Sequence, residues 1–161
     1  GWAPTQMLGT DVSGKVLGIV GMGRIGQAVA KRAAGFNMRI CYSSRTPHAP
    51  GQGSSQWEQR ALPDLLREAD FVTLHVPLSP ETHHLIGPRQ LALMKPTAFL
   101  INTSRGPVVD EGALVDALLR RRLAGAGLDV FGVAQREDVG VGLRLLGELV
   151  DGDQVEIVAE A

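Results

Sequence analysis

The sequence predicts an α/β fold with a doubly wound parallel sheet, in which helices cover both faces of the strands. Short runs rich in valine, isoleucine and leucine alternate along the chain with stretches whose apolar residues recur at helical spacing. This alternation is typical of parallel strands joined by crossover helices. A second observation is that glycine-rich, polar or charged residues follow the predicted strands directly. Ligands of such sheets bind beyond the carboxyl ends of the strands, so these residues predict one shared site.

The first predicted strand, residues 15–20, ends in a Gly-x-Gly-x-x-Gly run, and a helix is predicted to follow over residues 24–34. We expect Gly21 to allow the sharp turn, Gly23 to let another group approach the backbone, and Gly26 to pack the helix against the strand. The helix N-terminus then points its unpaired N–H groups at the turn, which suits a pyrophosphate. Strand, glycines and helix in this order predict a Rossmann-type dinucleotide-binding domain. A tight turn without a ligand is the alternative.

The first helix is expected to end at Gly35 and to bury one apolar stripe. That stripe consists of Ile25, Ala28, Val29 and Ala33. Strand two is predicted over residues 38–42, where Cys41 is expected to be a small core residue rather than a nucleophile. Residues 43–60 have no period and are rich in Ser, Pro, Gly and Gln, so a long loop is expected.

The same alternation continues through the middle of the chain. A short helix over residues 62–68 precedes strand three, residues 70–76, and a polar loop follows over residues 78–87. A second short helix over residues 88–94 leads into strand four, residues 97–102.

The last predicted helix begins after a turn, residues 103–107, that lies directly at the end of strand four. Asp110 suits the N-cap of this helix, which is predicted to run through Arg122. Its arginines at positions 120–122 are expected to lie in the last turn, where cations suit the helix dipole. Its buried stripe is predicted to be Leu114, Ala117 and Leu118. Strand five is predicted over residues 125–130.

Composition excludes several classes of function for this sequence. The 161 residues are 44% hydrophobic and 20% charged, which is typical of one globular domain. The net charge of −1 gives no general basic field for nucleic acid. No apolar run approaches the ~20 residues of a membrane helix, so no membrane partner is expected. The single cysteine agrees with a reducing, cytoplasmic compartment, and no metal site is expected.

The residues after strand two indicate which dinucleotide is bound. An NAD site usually places a carboxylate about 20 residues beyond the glycines, on the ribose 2′-hydroxyl. Here the chain reads Ser43-Ser44-Arg45-Thr46, without a carboxylate. Arg45 suits a 2′-phosphate, with the three hydroxyl groups as hydrogen-bond donors. This pattern favours NADP(H) over NAD(H), while a solvated loop arginine beside a loosely held adenosine is the alternative.

Four stretches of the chain resemble the D-isomer-specific 2-hydroxyacid dehydrogenase family, and in particular its glyoxylate/hydroxypyruvate reductase-like members. They are GIVGMGRIG at residues 18–26, ADFVTLHVPL at 69–78, MKPTAFLINTSRG at 94–106 and AGLDVF at 126–131. The resemblance covers residues 1–131 and implies hydride transfer between NAD(P)H and a small 2-oxo acid such as glyoxylate or hydroxypyruvate. It also implies a homodimer that associates through the cofactor domain.

The resemblance assigns roles to several residues. Arg105 matches the arginine that holds the substrate carboxylate and polarises its keto oxygen, and it is the expected catalytic residue. Thr103 and Ser104 match positions that flank the nicotinamide, and Asp129 matches the residue that bonds the carboxamide. The expected cofactor-binding residues are Gly21, Gly23, Arg24, Ile25, Gly26, Ser43, Ser44, Arg45, Thr46, His75, Val76, Pro77, Thr82, Thr103, Ser104, Arg105 and Asp129.

The sequence departs from the family pattern after Phe131. The family has a Glu-Pro pair shortly beyond this point and later a Pro-His, whereas this chain reads Gly132-Val133-Ala134-Gln135 and contains no further histidine. His75 does not match the catalytic histidine, and His83 and His84 are expected to be exposed.

We therefore expect a cofactor domain without the second, substrate domain, in three parts. Residues 1–14 are a lead-in, residues 15–131 the dinucleotide-binding domain, and residues 132–161 an atypical acidic segment with seven Asp and Glu against two Arg. In that segment a helix over 141–150 and a strand over 154–159 are hypothesised to replace part of the missing sixth strand. A frayed tail, produced by truncation or a shifted reading frame, is the favoured alternative. A non-catalytic dinucleotide-binding or sensing module is the second reading of function.

Overall fold

The structure is a computed structural model that describes residues 9–46 and 57–130 and the backbone of one further strand, Glu156–Ala159. The described strands are β1 (Val16–Val20), β2 (Arg39–Ser43), β3 (Glu58–Gln59), β4 (Phe71–Leu74), β5 (Phe99–Asn102), β6 (Gly125–Leu128) and β7 (Glu156–Ala159). The described α-helices are α1 (Arg24–Ala33), α2 (Leu62–Glu68), α3 (Pro88–Leu91) and α4 (Glu111–Leu119). Single 3₁₀ turns follow α1 at Ala34–Phe36 and precede α4 at Gly106–Val108.

The seven strands form one sheet in the order β3-β2-β1-β4-β5-β6-β7, and all the pairs are parallel. From β1 the chain first moves outward to β2 and β3, and then returns to the other side of β1 with β4. The carboxyl ends of β1 and β4 therefore flank the point at which the direction of winding reverses. In open α/β sheets this point is where ligands bind.

The core lies on both faces of the sheet, as a doubly wound fold requires. Because successive side chains of a strand point to opposite faces, Leu17 and Ile19 pack on the α1 side, while Val20 packs on the side of α2, α3 and α4. Gly18 keeps β1 close to α2, since a Cβ there would lie 2.6 Å from Cδ2 of Leu65. The predicted fold class is confirmed.

The predicted stripe of α1 was wrong at Ile25, whose side chain is 66% exposed. The buried positions of α1 are Gly26, Ala30 and Ala33. Gly26 packs directly on the Gly21 carbonyl and on Ile19. That close contact fixes the rotation of the helix and turns the neighbouring Ile25 away from the sheet.

The end of the first helix also differs from the prediction. Gly35 lies inside the 3₁₀ turn, and the left-handed residue that ends the turn is Asn37, with a φ of 57°. Asparagine adopts this conformation more readily than most residues, because its short polar side chain bonds locally.

The helix α4 begins as predicted and ends earlier. Asp110 caps it by accepting a hydrogen bond from the Ala113 N–H at 3.0 Å, and the predicted stripe of Leu114, Ala117 and Leu118 is buried. The helix ends at Leu119 rather than Arg122, because Arg121 adopts a φ of 53° and the Arg122 N–H bonds back to the Ala117 carbonyl. The arginine run therefore follows the helix.

Further boundaries differ from the prediction: β2 covers residues 39–43 rather than 38–42, β5 covers 99–102 rather than 97–102, and β6 ends at residue 128 rather than 130. The helix α3 is a single turn that ends at Leu91 rather than residue 94, strand β4 covers residues 71–74 rather than 70–76, and β3 lies inside the predicted loop. The predicted strand over residues 154–159 is present as β7, which pairs with β6. The predicted helix over residues 141–150 lies outside the described residues, as do residues 1–8 of the lead-in and residues 47–56 of the loop.

Candidate functional site

The turn after β1 forms an open glycine cradle, which we define as Gly21, Gly23 and Gly26. Gly21 has a φ of +98°, and a Cβ there would lie 2.5 Å from the His75 carbonyl oxygen, so only glycine fits. A Cβ on Gly26 would collide with the Gly21 carbonyl. Gly23 is different, because a Cβ there would meet nothing within 4 Å. The first and third glycines serve packing, and the second leaves room for a ligand.

The N-terminus of α1 opens onto this cradle. Gly23 caps the helix and has no side chain that could accept from the N–H groups of the first turn, and that turn holds no acidic residue. Donors and the positive end of the helix dipole therefore face the open space beside Gly23, an arrangement that suits a phosphate or pyrophosphate. The Gln27 side chain supports the cradle by donating to the Met22 carbonyl at 3.2 Å.

The segment after β4 forms one wall of the cradle. The His75 N–H donates to the Val20 carbonyl at 2.7 Å, and the His75 ring nitrogen Nε2 lies 3.0 Å from the Thr73 hydroxyl. Burial lowers the pKa of the His75 imidazole below its ordinary value, because the charged form is poorly solvated there. A neutral, half-buried histidine contributes shape and hydrogen bonding to this wall.

The loop after this wall is closed by Thr82. Its hydroxyl donates to the Pro77 carbonyl at 2.6 Å and accepts from the Ser79 N–H at 2.8 Å. Both interactions lie within the loop, so the structure gives Thr82 a role in shaping the backbone beside Pro77. His83 and His84 follow, stacked on each other at 4.0 Å and exposed as predicted.

The segment after β2 holds a row of hydroxyl groups and one arginine. The Ser43 carbonyl accepts from the Gly21 N–H at 2.9 Å, which ties this segment to the cradle. The Ser44 hydroxyl donates to the Thr46 carbonyl at 2.9 Å, and Arg45 and Thr46 are exposed. Next to them, the Gln59 side chain of β3 donates to the Ser44 carbonyl at 3.2 Å.

The turn after β5 is organised by Asn102, whose side chain is only 1% exposed. Its Oδ1 accepts from the Ser104 N–H at 3.0 Å and from the Ser104 hydroxyl at 2.9 Å. Its Nδ2 donates to the Arg105 carbonyl at 3.0 Å. Sequence reasoning placed Asn102 at the strand end without a role. The signal that could have found it is an Asn two residues before a serine at a turn, the pattern of an Asx-turn.

The predicted substrate residue Arg105 is exposed at this turn, and one guanidinium nitrogen, Nη1, donates to the Ser104 carbonyl at 2.6 Å. Thr103 beside it is exposed as well. One residue beyond the end of β6, Asp129 is exposed, and its backbone N–H donates to the Asn102 carbonyl at 3.1 Å. The polar atoms of Thr103, Arg105 and Asp129 are therefore accessible to a ligand.

The sheet brings most of the predicted site residues to one edge. Strand register aligns Val20 with Ser43 and with Leu74, and aligns Asn102 with Leu74 and Leu128. The carboxyl ends of five strands thus lie side by side, each followed by predicted site residues. Ile25 and Arg24 are exposed in the first turn of α1, at the same edge. Residues 132–135, where the family pattern is lost, lie outside the described residues.

Two features are absent from the residues that the structure describes. In residues 9–46 and 57–130, no three His, Cys, Asp or Glu side chains are placed so that they could hold a metal ion. Of the described helices, none combines the length and apolar character needed to cross a bilayer.

The comparisons with known proteins agree on one family. Residues 1–139 match the family model of the D-isomer specific 2-hydroxyacid dehydrogenase, NAD binding domain. The glyoxylate reductase of Pyrococcus horikoshii is 59% identical over 130 residues, which are 81% of this chain and 39% of that protein.

Two solved structures extend the comparison to bound cofactors. D-Lactate dehydrogenase from Aquifex aeolicus, complexed with NAD and lactic acid, matches with a TM-score of 0.83 and 32% identity, over 98% of this chain and 49% of that chain. An acyclic imino acid reductase in complex with NADPH and D-Arg matches with a TM-score of 0.81 and 28% identity, over 98% of this chain and 46% of that chain. This chain spans less than half the length of each of these proteins. The chain belongs to the D-isomer specific 2-hydroxyacid dehydrogenase family and carries its NAD-binding domain.

Proposed function

We propose that the chain is the cofactor domain of a reductase that transfers hydride from NAD(P)H to a small 2-oxo acid, such as glyoxylate or hydroxypyruvate. The observation that carries this proposal is the exposed Arg105 guanidinium, which lies on a turn fixed by Asn102 at the same sheet edge as the glycine cradle. The glyoxylate reductase and D-lactate dehydrogenase among the relatives support this substrate class.

The residues of the cradle fit a dinucleotide. The open space at Gly23 and the uncapped N–H groups of α1 would receive the pyrophosphate. Thr103 and Ser104 would flank the nicotinamide, and the Asp129 carboxylate would accept from its carboxamide. His75, Val76 and Pro77 would form the wall beside the cofactor. When bound, the nicotinamide supplies the hydride.

Arg105 would orient the acid. Its guanidinium presents paired N–H groups that match a carboxylate, and the same group can stabilise negative charge that develops on the keto oxygen. Because Arg105 is exposed, these donors are accessible to a small acid.

The residues that would contact the adenosine end of the cofactor support a preference for NADP(H) over NAD(H). Arg45 and Thr46 are exposed next to Ser43 and Ser44, so a 2′-phosphate would find a guanidinium and hydroxyl donors in place of a carboxylate. The NADPH complex of the imino acid reductase shows that a structural relative binds this form, whereas the Aquifex relative binds NAD.

We propose the same division of the chain that the sequence predicts, with residues 1–14 as lead-in, 15–131 as cofactor domain and 132–161 as an acidic end. The family resemblance also supports a homodimer. We propose a cytoplasmic location, with which a single, buried cysteine that has no partner for an internal disulfide agrees.

A second candidate function is a non-catalytic dinucleotide-binding or sensing module. The observation that favours it is that the chain reads Gly132-Val133-Ala134-Gln135 where the family pattern has a Glu-Pro pair. General acid–base catalysis typically contributes ~10²–10⁴-fold, so the loss would be large.

Turnover separates the two candidates. The purified chain is mixed with NADPH and glyoxylate or hydroxypyruvate, and NADPH oxidation is followed by absorbance. A reductase oxidises NADPH in the presence of the acid, and the Arg105→Ala variant loses this activity. Cofactor binding without acid-dependent oxidation above the Arg105→Ala rate would contradict turnover by this chain on its own and would favour the binding module.

A further inference from the structure

We propose that Asn102 is a positioning residue that fixes the nicotinamide side of the site. This inference rests on the proposed function, because it assigns a task to a residue that supports Thr103, Ser104, Arg105 and Asp129. Asn102 itself is not expected to touch cofactor or substrate, since its side chain is buried.

The hydrogen bonds of Asn102 converge on the segment that carries these groups. Its side chain holds Ser104 at two atoms through Oδ1 and the Arg105 carbonyl through Nδ2. Three of the four hydrogen-bonding positions of the amide are therefore used within three residues of chain.

The main chain of Asn102 also forms a hydrogen bond with the residue that follows the neighbouring strand, β6. Its carbonyl accepts from the Asp129 N–H at 3.1 Å, one residue beyond the end of β6. One residue thus relates the turn that carries Arg105 to the residue that would bond the carboxamide. Asn102 also ends β5 and pairs in register with Leu74 and Leu128, so this link is anchored in the rigid sheet.

The surroundings of Asn102 make its amide difficult to replace. The site is buried, and an unpaired buried N–H or carbonyl costs more than a hydrogen bond contributes. Without the amide, Ser104 and Arg105 would lose their shared partner, and the turn that carries Thr103 and Arg105 would keep only its main-chain hydrogen bonds, such as the one from the Val108 N–H to the Arg105 carbonyl.

The test separates the nicotinamide end from the adenosine end. Two ligands are titrated into the purified chain: NADPH, and 2′-phosphoadenosine diphosphoribose, which lacks only the nicotinamide ring. In the unaltered chain we expect NADPH to bind more tightly. In Asn102→Ala we expect the NADPH affinity to fall by about tenfold, while the affinity for the ring-less ligand changes by less than about twofold, because its contacts lie at the cradle and the 2′-phosphate.

Two further variants distinguish a specific loss of nicotinamide binding from a general loss of protein stability. Asn102→Asp keeps the acceptor for Ser104 but replaces the donor to the Arg105 carbonyl with a second, buried acceptor oxygen, so a selective loss of NADPH affinity at least as large as in Asn102→Ala is expected. Lys95→Met removes the ion pair with Asp70 at the opposite, amino edge of the sheet, and it should lower stability while leaving the ratio of the two affinities unchanged.

The outcomes are distinct. Parallel weakening of both ligands in the two Asn102 variants, or no change in either, overturns the positioning role. Equal binding of both ligands by the unaltered chain also overturns it, because the nicotinamide end is then not held. Failure of the unaltered chain to bind either ligand overturns the proposed function itself.

Discussion

The carbonyl oxygen of His75 lies 2.5 Å from the point that a Cβ on Gly21 would occupy. The segment that follows β4 therefore runs so close to the turn after β1 that no side chain fits between them. The positive φ of Gly21, +98°, is a second reason why only glycine is suitable at this position, since residues with a side chain rarely adopt it. At Gly23, in contrast, a Cβ would meet no protein atom within 4 Å. Gly21 is therefore required by the packing of the protein itself, whereas Gly23 leaves open space for a ligand.

This contrast predicts different consequences for two matched substitutions. Gly21→Ala should lower the free energy of unfolding by about 2 kcal/mol or more, because strain at the positive φ adds to the collision. Gly23→Ala should change it by less than about 1 kcal/mol, since its φ of −75° suits alanine. Gly23→Ala should nevertheless abolish dinucleotide binding, since its Cβ would project into the open cradle. Urea unfolding and an NADPH titration measure the two effects, and equal destabilisation by both substitutions would contradict this account.

The carboxylate of Asp70 predicts a dependence of stability on pH. It accepts from the Val16 N–H at 2.9 Å and from the Lys95 ammonium at 2.8 Å. Burial opposes its ionisation, but these donors outweigh that effect and hold the pKa of Asp70 below its ordinary value. A carboxyl group with a lowered pKa stabilises the fold above its unfolded pKa of about 4, and this contribution is lost as the pH falls through the folded pKa.

The substitution Asp70→Asn isolates that contribution. It should reduce the free energy of unfolding at pH 7, and the difference from the unaltered chain should shrink as the pH is lowered from about 4. Urea unfolding between pH 3 and pH 7 measures the difference. A gap that stays constant over this range would show that the Asp70 charge contributes nothing.

Cys41 is predicted to be unreactive in the folded protein. Burial, and after it the neighbouring Glu68 carboxylate, raise the pKa of the Cys41 thiol to about 12. Only the thiolate reacts readily, so a thiol reagent at pH 8 should label the chain slowly in buffer and rapidly in urea. Since the sequence contains one cysteine, the signal reports this position alone. Fast labelling of the folded chain would contradict the buried position.

Arg45 is predicted to determine the preference between the two dinucleotides. Arg45→Ala should weaken NADPH binding by about tenfold or more and leave NADH binding almost unchanged, because only NADPH carries the 2′-phosphate. Arg89→Ala is the control, since Arg89 is an exposed arginine of α3 that takes no part in the proposed site. No change in either affinity would support a solvated loop arginine, and equal weakening of both cofactors would show that Arg45 does not select the 2′-phosphate.

The strands and the cradle could be predicted because their signals are local. An apolar run that is followed at once by three spaced glycines and a helical pattern is compatible with few structures besides a strand, a tight turn and a helix. The short strand β3 could not be predicted in this way. Its two residues, Glu58 and Gln59, have no apolar period, and they join the sheet through tertiary interactions. Arg39, Arg60 and Glu68 form ion pairs around Glu58, and Gln59 donates to Ser44.

The exposure and the hydrogen bonds of individual site residues depend on tertiary packing, which the periodicity of the sequence does not reveal. Ile25 fits the apolar stripe of α1, yet the contact between Gly26 and Gly21 rotates the helix and exposes it. Likewise, Asn102 reads as an ordinary strand end, and only the folded turn reveals its contacts with Ser104 and Arg105. The placement of these residues at the carboxyl edge of the sheet was therefore predictable, whereas their hydrogen bonds and burial were not.

The central claim, that this chain binds a dinucleotide at the glycine cradle and prefers NADP(H), is tested most directly by a fluorescence titration of the purified chain with NADPH and with NADH. We predict saturable binding of both, with a lower Kd for NADPH, and loss of binding in Gly23→Ala. Absence of binding for both dinucleotides would contradict the claim, and a clear preference for NADH would contradict the role assigned to Arg45.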